Sequence, residues 1–146
     1  MQKVSIRWFI KRDMPNVLKL QENFEFSWEE EDFIEALVQT NCIGMIAEAN
    51  NEIVGFIIYE LYRENFYIVN LAVKENYRRQ KVGSQLIGLL QDRLNPHRRT
   101  FINTNVRENQ LQAQLFLKNL SFKASIVKDY YEDNKDSYYF RYKLKE

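Results

Sequence analysis

Apolar and polar positions alternate from the start of the chain, with Val4, Ile6, Trp8 and Ile10 interleaved with Ser5, Arg7, Phe9 and Lys11. A period of two belongs to a strand with one buried face, so residues 3–11 are expected to form a first strand. The period then lengthens. Asp13 stands as a helix cap, Pro15 occupies an early position where its missing N–H costs nothing, and Val17, Leu18, Leu20 and Phe24 make one apolar stripe on a helix ending near Asn23. Ser27 and Glu30 have the spacing of a capping box. Phe33, Ile34, Leu37 and Val38 then recur at helical intervals to about Thr40. An aromatic elbow, Phe24 to Trp28, separates these two helices.

Two β-patterned runs follow, Cys42 to Ala49 and Glu52 to Tyr62. They flank Asn50-Asn51, a pair that tolerates the positive φ of a tight turn, and so predict an antiparallel hairpin. Phe66 to Val73 is a further strand, and Val82, Leu86, Ile87, Leu90 and Leu94 mark a helix stopped by Asn95-Pro96. Thr100 to Val106 reads as strand, and Ala113, Phe116, Leu117 and Leu120 as one helical face. Phe122 to Asp129 and Ser137 to Leu144 close the chain as two β-rich runs. The order β, α, α, β, β, β, α, β, α, β, β predicts the α/β class: one mixed, mostly antiparallel sheet of about seven strands flanked by about four helices.

Length and composition narrow the classes. A chain of 146 residues fits one domain over 1–146 with a single core. Apolar residues at 45% and charged residues at 28% exclude disordered and fibrous readings. Lys+Arg 21 against Asp+Glu 20 leaves a net charge of +1, without the basic footprint of a nucleic-acid binder. Cys42 is the only cysteine, so no internal disulfide or thiolate zinc cluster is expected, and a reducing cytoplasm suits the chain. No spacing of His, Asp and Glu suggests a metal. Neither a signal-type apolar run near the start nor a membrane-length run appears in the sequence, so no membrane partner is expected.

The chemically informative window is Leu71 to Leu86, where a strand runs into a loop with Arg78, Arg79 and Lys81 and then into a helix with Gly83 in its first turn. Unpaired N–H groups and the dipole of a helix N-terminus suit a phosphate, and a glycine permits its close approach. The plainer alternative is a solvated basic loop with Gly83 serving helix packing. Other conspicuous residues have ordinary readings: Tyr130, Tyr131, Tyr138 and Tyr139 as strand residues, Glu29 to Asp32 as an acidic first turn, His97 as surface, and Cys42 as a small core residue.

Arg78-Arg79-Gln80-Lys81-Val82-Gly83 resembles the acyl-CoA motif of the GNAT N-acetyltransferase superfamily, [Gln/Arg]-x-x-Gly-x-[Gly/Ala], with Lys81 standing at the first glycine. Further stretches resemble the ribosomal-protein-alanine and related protein N-terminal acetyltransferases. Val106-Arg107-Glu108-Asn109 followed by Ala113 to Phe122 is similar to that branch's Val-Arg-x-Ser-Asn, helix and Leu-Gly-Phe. Tyr130-Tyr131 with Asp136-Ser137-Tyr138 is similar to its Tyr-Tyr…Asp-Ala-Tyr, and Phe26-Ser27-Trp28 to its Phe-Pro-Trp.

The resemblance implies acetyl-CoA as acyl donor, with Arg78, Arg79, Gln80, Lys81, Val82, Gly83 and Ser84 at the pyrophosphate. It implies Leu71, Ala72 and Val73 at the pantetheine arm, on a strand that splays from its neighbour. The adenine-side Asn of the family falls on Gln110, with Asn109 one residue earlier. An amine acceptor, favoured as a protein N-terminus, would meet Phe26, Trp28, Tyr131 and Tyr138.

The catalytic positions depart from the branch. Its general-base Glu and its Tyr acid correspond to Asn105 and Phe116, neither of which exchanges a proton, and the Gly of its Leu-Gly-Phe is Ser121. At about pH 7.5 an α-amine of pKa 7.7–8.0 is roughly a quarter to two-fifths neutral, whereas a lysine near pKa 10.4 is neutral in about one molecule per thousand. Loss of a base therefore costs an α-amine acceptor far less. Glu108, Tyr131 or a water ordered by Asn70 and Asn105 are the candidates for proton transfer. The alternatives are acetylation of a small amine or lysine, and a degenerate acyl-CoA-binding module without turnover. The acceptor and the oligomeric state are not written in the sequence.

Overall fold

The computed structural model describes residues 2–128, 130–133 and 135–145. In chain order its elements are β1 (Ser5–Trp8), α1 (Met14–Gln21), α2 (Glu30–Leu37), β2 (Cys42–Ala49), β3 (Glu52–Leu61), β4 (Asn65–Val73), α3 (Val82–Asp92), β5 (Phe101–Arg107), α4 (Leu111–Asn119), β6 (Lys123–Val127) and β7 (Ser137–Lys143). This is the predicted order. The strands form one seven-stranded sheet, β1-β2-β3-β4-β5-β7-β6, with a parallel β4–β5 ladder and antiparallel ladders elsewhere among the described pairings β1–β2, β2–β3, β5–β7 and β7–β6. Asp129, expected at the end of the β6 run, lies outside the described residues.

Two compact units share β4 along the chain. The first comprises the described residues of Met1–Leu61 with Ile68–Asp92. Its hairpin turns at Asn50 and Asn51, whose φ values of 52° and 62° are those the Asn pair was expected to supply. Val54 to Tyr59 are all buried, because α1 and α3 both pack on β3. Phe33 of α2 centres the core, with Phe9, Trp28 and Phe56 rings at 6.0, 5.1 and 5.5 Å.

Three local expectations fail here, each for a stated reason. The first strand ends at Trp8 rather than residue 11, and Phe9, not Trp8 or Ile10, turns inward. Its N–H donates to the Gly44 carbonyl (2.9 Å) and its ring joins Phe33, leaving Trp8 59% and Ile10 41% exposed. Asp13 does not cap α1. Its carboxylate instead accepts two bonds from Arg7 (2.7 Å each) and one from Ile10 N–H (2.8 Å). Ser27 and Glu30 do not form the capping box. Buried Gln21 clamps Trp28 through both its N–H (2.5 Å) and its carbonyl (2.8 Å), so the helix begins later, with Asp32 accepting from Glu29 N–H at 2.9 Å.

The second unit comprises Tyr62–Tyr67 and the described residues of Arg93–Glu146. Alternation along β5 and β7 divides its sheet into two chemically distinct faces. Ile102, Thr104 and Val106 pair with Tyr142, Phe140 and Tyr138, and this face joins the buried core with Leu117 of α4 and Phe122. Asn103, Asn105 and Arg107 pair with Arg141, Tyr139 and Ser137 on the other face. At the start of β4, Asn65 to Tyr67 runs parallel to Phe101 to Asn103.

Candidate active site

In the first unit, β4 ends in a loop held from below. Lys74 N–H donates to the Val54 carbonyl (2.8 Å) and Lys74 Nζ pairs with Glu52 at 2.7 Å. Buried Tyr77 donates its hydroxyl to Glu52 (2.9 Å) and accepts from Asn50 (3.0 Å). Lys74 and Tyr77 hold the Glu52 carboxyl below its usual range. The hairpin turn thus anchors the loop that precedes α3.

The same loop carries left-handed backbone at Arg79 (φ 65°) and Lys81 (φ 64°). Two such residues so close together cost about 1–2 kcal/mol each for side chains other than glycine. The bend they make sets the backbone at the entry to α3. Gln85 N–H makes the bond to the Lys81 carbonyl (3.1 Å), which leaves the N–H groups of the first helical turn pointing out of the helix end. Gly83 is buried there, and Arg79 and Lys81 are exposed. Helix-end donors, a glycine and two exposed cations fit a pyrophosphate.

Arg78 has a different place. Its guanidinium lies 4.7 Å over the Phe24 ring and donates to the Val73 carbonyl at 3.3 Å, tying the strand end to the elbow. Gln80 turns its side chain to the Asn76 carbonyl (3.2 Å). Ala72 is in the core, and Leu71 and Val73 are half-buried beside it. At the elbow, Trp28 is packed on Phe33, whereas Phe26 is 43% exposed. Gln85, which sequence reading missed, receives Val4 N–H (3.1 Å) and donates to the Gln2 carbonyl (2.6 Å), binding the N-terminal segment to α3. A lone glutamine in an amphipathic helix gives no signal of this.

In the second unit, the polar face gathers Tyr67, Asn105 and Ser137. Tyr67 Oη donates to Asn105 Oδ1 and Asn105 Nδ2 donates to Ser137 Oγ, both at 2.8 Å. Burial pushes the Tyr131 hydroxyl above its ordinary pKa, partly countered by the neighbouring Ser137 hydroxyl and by Arg107. The Arg107 guanidinium lies 4.1 Å over the Tyr131 ring and donates to Asp133 at 2.9 Å. Tyr130 meets Tyr131 edge-on at 5.0 Å.

Asn105 is therefore held between Tyr67 and Ser137, and Tyr131 is held against Arg107 and Tyr130. Glu108 stands apart from their chain: exposed, 4.0 Å from Lys135 Nζ, with its N–H donated to the Asp136 carbonyl. Asn109 is exposed. Gln110, at the start of α4, turns back on the end of β5, accepting from Arg107 N–H at 3.4 Å. Tyr138 pairs with Val106 and Ile126, on the face of β7 opposite Ser137. Ser137, Tyr67 and Arg107 were missed by sequence reading. The alternation Asn103, Asn105, Arg107 was the available sign that one face of β5 is polar.

Residues 6–122, most of the chain, match the acetyltransferase (GNAT) family. The chain belongs to that family. As a GNAT protein it is an acyltransferase, an N-acetyltransferase whose donor is acetyl-CoA. Among its relatives, an N-alpha-acetyltransferase of Saccharolobus solfataricus is 27% identical over 138 residues, covering 84% of this chain and 80% of that protein. Two solved structures share the fold. The ribosomal-protein-S18-alanine N-acetyltransferase from Escherichia coli has a TM-score of 0.84 at 21% identity, with 99% of this chain and 96% of that one covered. Arabidopsis thaliana NAA60 in complex with acetyl-CoA has a TM-score of 0.80 at 18% identity, with 97% of this chain and 100% of that one covered. Among the described residues no helix is long and apolar enough to cross a membrane, and no group of three His, Cys, Asp or Glu stands together as a metal site.

Proposed function

We propose that this GNAT protein acetylates a protein N-terminal α-amine, the amine attacking the thioester carbonyl directly in a ternary complex. The observation that carries this reading is the identity of residue 105. The hydrogen-bonded chain around it contains an amide and two hydroxyls but no carboxylate, so it favours an acceptor that sheds its proton to solvent near neutral pH. An α-amine does so and a lysine does not. The name of the Saccharolobus solfataricus relative agrees with an α-amine acceptor.

The N–H groups at the start of α3, with Arg79 and Lys81, hold the donor's pyrophosphate, and the backbone of Leu71 to Val73 meets its pantetheine arm. Phe26 contacts the acceptor. Holding amine and thioester in attack geometry supplies most of the rate, a contribution worth about 7–11 kcal/mol. The unpaired Cys42 suits a reducing compartment such as the cytosol.

The test is a mass-shift assay with acetyl-CoA on peptides with free or blocked N-termini and on small amines. A gain of about 42 Da, one acetyl group, confined to free α-amines supports the reading. The same gain on a blocked peptide's lysine or on a small amine replaces it with the corresponding acceptor. No gain on any amine, with acetyl-CoA still bound, makes the protein a binding module.

A further inference from the structure

A net charge of +1 over the whole chain conceals a segregation. The second unit carries twelve Lys and Arg against seven Asp and Glu, and the first carries nine against thirteen. Within the second unit the charges separate again along β5 and β7. Where β5 ends and β7 begins, cations are matched: Arg107 donates to Asp133 at 2.9 Å, and Lys135 stands 4.0 Å from Glu108. Where β5 begins and β7 ends, Lys143 pairs across with Phe101, and Arg141 lies in register between Asn103 and Lys123. Alternate residues of a strand point the same way, so these side chains share the polar face, away from Leu117 and Phe122. Lys123, Arg141 and Lys143 are exposed, and among the described residues none of the three has a carboxylate within 4.0 Å. Leu144 N–H donates to the Thr100 carbonyl (2.7 Å), which brings the exposed Arg98 to the same end. The acid at this end is the exposed Glu64, whose backbone carbonyl accepts Thr100 N–H at 3.0 Å.

Arg141 Cζ lies 3.7 Å over the centre of the Phe101 ring, a separation at which guanidinium and ring stack. A guanidinium packed in this way keeps its outer plane and its fork of donors for a ligand. Neighbouring strands are about 4.7–4.9 Å apart and alternate residues of one strand about 7 Å apart. The three cations therefore form a row of charges on an open sheet face, spaced for a ligand whose negative charge repeats along its length. An acidic peptide supplies the charge but has nothing planar in its carboxylates to lie on Arg141, whereas a nucleotide strand supplies a phosphate and a base at every step. We propose that this end of the sheet face binds single-stranded nucleic acid, with Lys123 and Lys143 at phosphates and Arg141 stacked on a base. The surface lies wholly within the second unit and uses none of Tyr67, Asn105 and Ser137, so it stands apart from the acyl-transfer reading.

The experiment is fluorescence anisotropy of the intact protein with a labelled oligouridine of about 12 nucleotides, repeated over a range of salt. The logarithm of the binding constant falls linearly with the logarithm of salt, with a slope of about −2, since each phosphate neutralised on a single strand contributes about −0.7. Lys123→Glu and Lys143→Glu each weaken binding at low salt by about five-fold or more and flatten the slope, while acetyl-CoA binding is unchanged. Arg141→Lys keeps the slope but weakens binding several-fold, because the charge remains and the stacking plane is lost. Lys19→Glu, the same change of charge at an exposed position of the first unit, leaves oligouridine binding as it was. No binding at low salt overturns the proposal. Equal weakening in Lys19→Glu also overturns it, because net charge alone is then at work. Tighter binding of polyglutamate than of oligouridine replaces nucleic acid with an acidic protein. A duplex of the same length bound as tightly as the single strand removes the stacking role of Arg141 and overturns the choice of a single strand.

Discussion

A Cβ placed on Gly55 of β3 would stand 3.0 Å from the Ala72 carbonyl oxygen, with Val82 Cγ1 at 3.3 Å and Leu86 Cδ1 at 3.4 Å. The strand that ends at the donor loop and the helix that follows it therefore meet over a position with no side chain. A backbone oxygen cannot rotate aside as a flexible side chain can. Gly55→Ala is expected to cost about 1–3 kcal/mol of stability, read as a lower urea midpoint at unchanged slope, and to weaken acetyl-CoA binding by moving β4 and α3 apart.

Lys81 holds a left-handed φ of 64° at the position where the family motif has glycine. Lys81→Gly removes a backbone penalty of about 1–2 kcal/mol but adds chain entropy worth about 0.5–1 kcal/mol. The expected net gain is under about 1 kcal/mol, measured by denaturant unfolding. The variant also loses an exposed cation, so its acetyl-CoA affinity should fall less steeply with added salt than that of the native protein.

Much of this was readable in the sequence because the patterns were local. The hairpin at Asn50-Asn51, the order of elements and the basic loop before a glycine-bearing helix each follow from residues close along the chain. Asp13 and Phe9 were misread because their partners, Arg7 and Phe33, act across elements: an ion pair took the carboxylate from the helix end, and an aromatic cluster took Phe9 from the strand's polar face. The chain Tyr67, Asn105 and Ser137 joins three separated strands. Only strand register brings them together, and register is not written in any one segment.

Asp13 is 3% exposed, and the Arg7 guanidinium holds its carboxyl below the usual carboxylate range. A depressed folded pKa contributes stability that is fully present above the unfolded value of about 3.9 and is lost as pH falls through the folded value. Asp13→Asn is expected to cost about 2–4 kcal/mol at neutral pH. Its penalty should shrink below about pH 4, which urea unfolding across pH 3–7 checks.

Burial pushes the Cys42 thiol up to about 11, with Glu60 adding to the shift. At about pH 8 its thiolate fraction is then roughly one in a thousand, against about one in four for a free thiol of pKa 8.5. Iodoacetamide should label Cys42 far more slowly in the native protein than in urea, as mass spectrometry over time will read.

The site at the start of α3 is tested most directly by calorimetric titration of the native protein with acetyl-CoA, repeated for Arg79→Ala. The account predicts a one-site isotherm with a Kd in the micromolar range, about −8 kcal/mol, and several-fold weaker binding by Arg79→Ala at low salt. Absence of binding at millimolar acetyl-CoA by the folded native protein would contradict it.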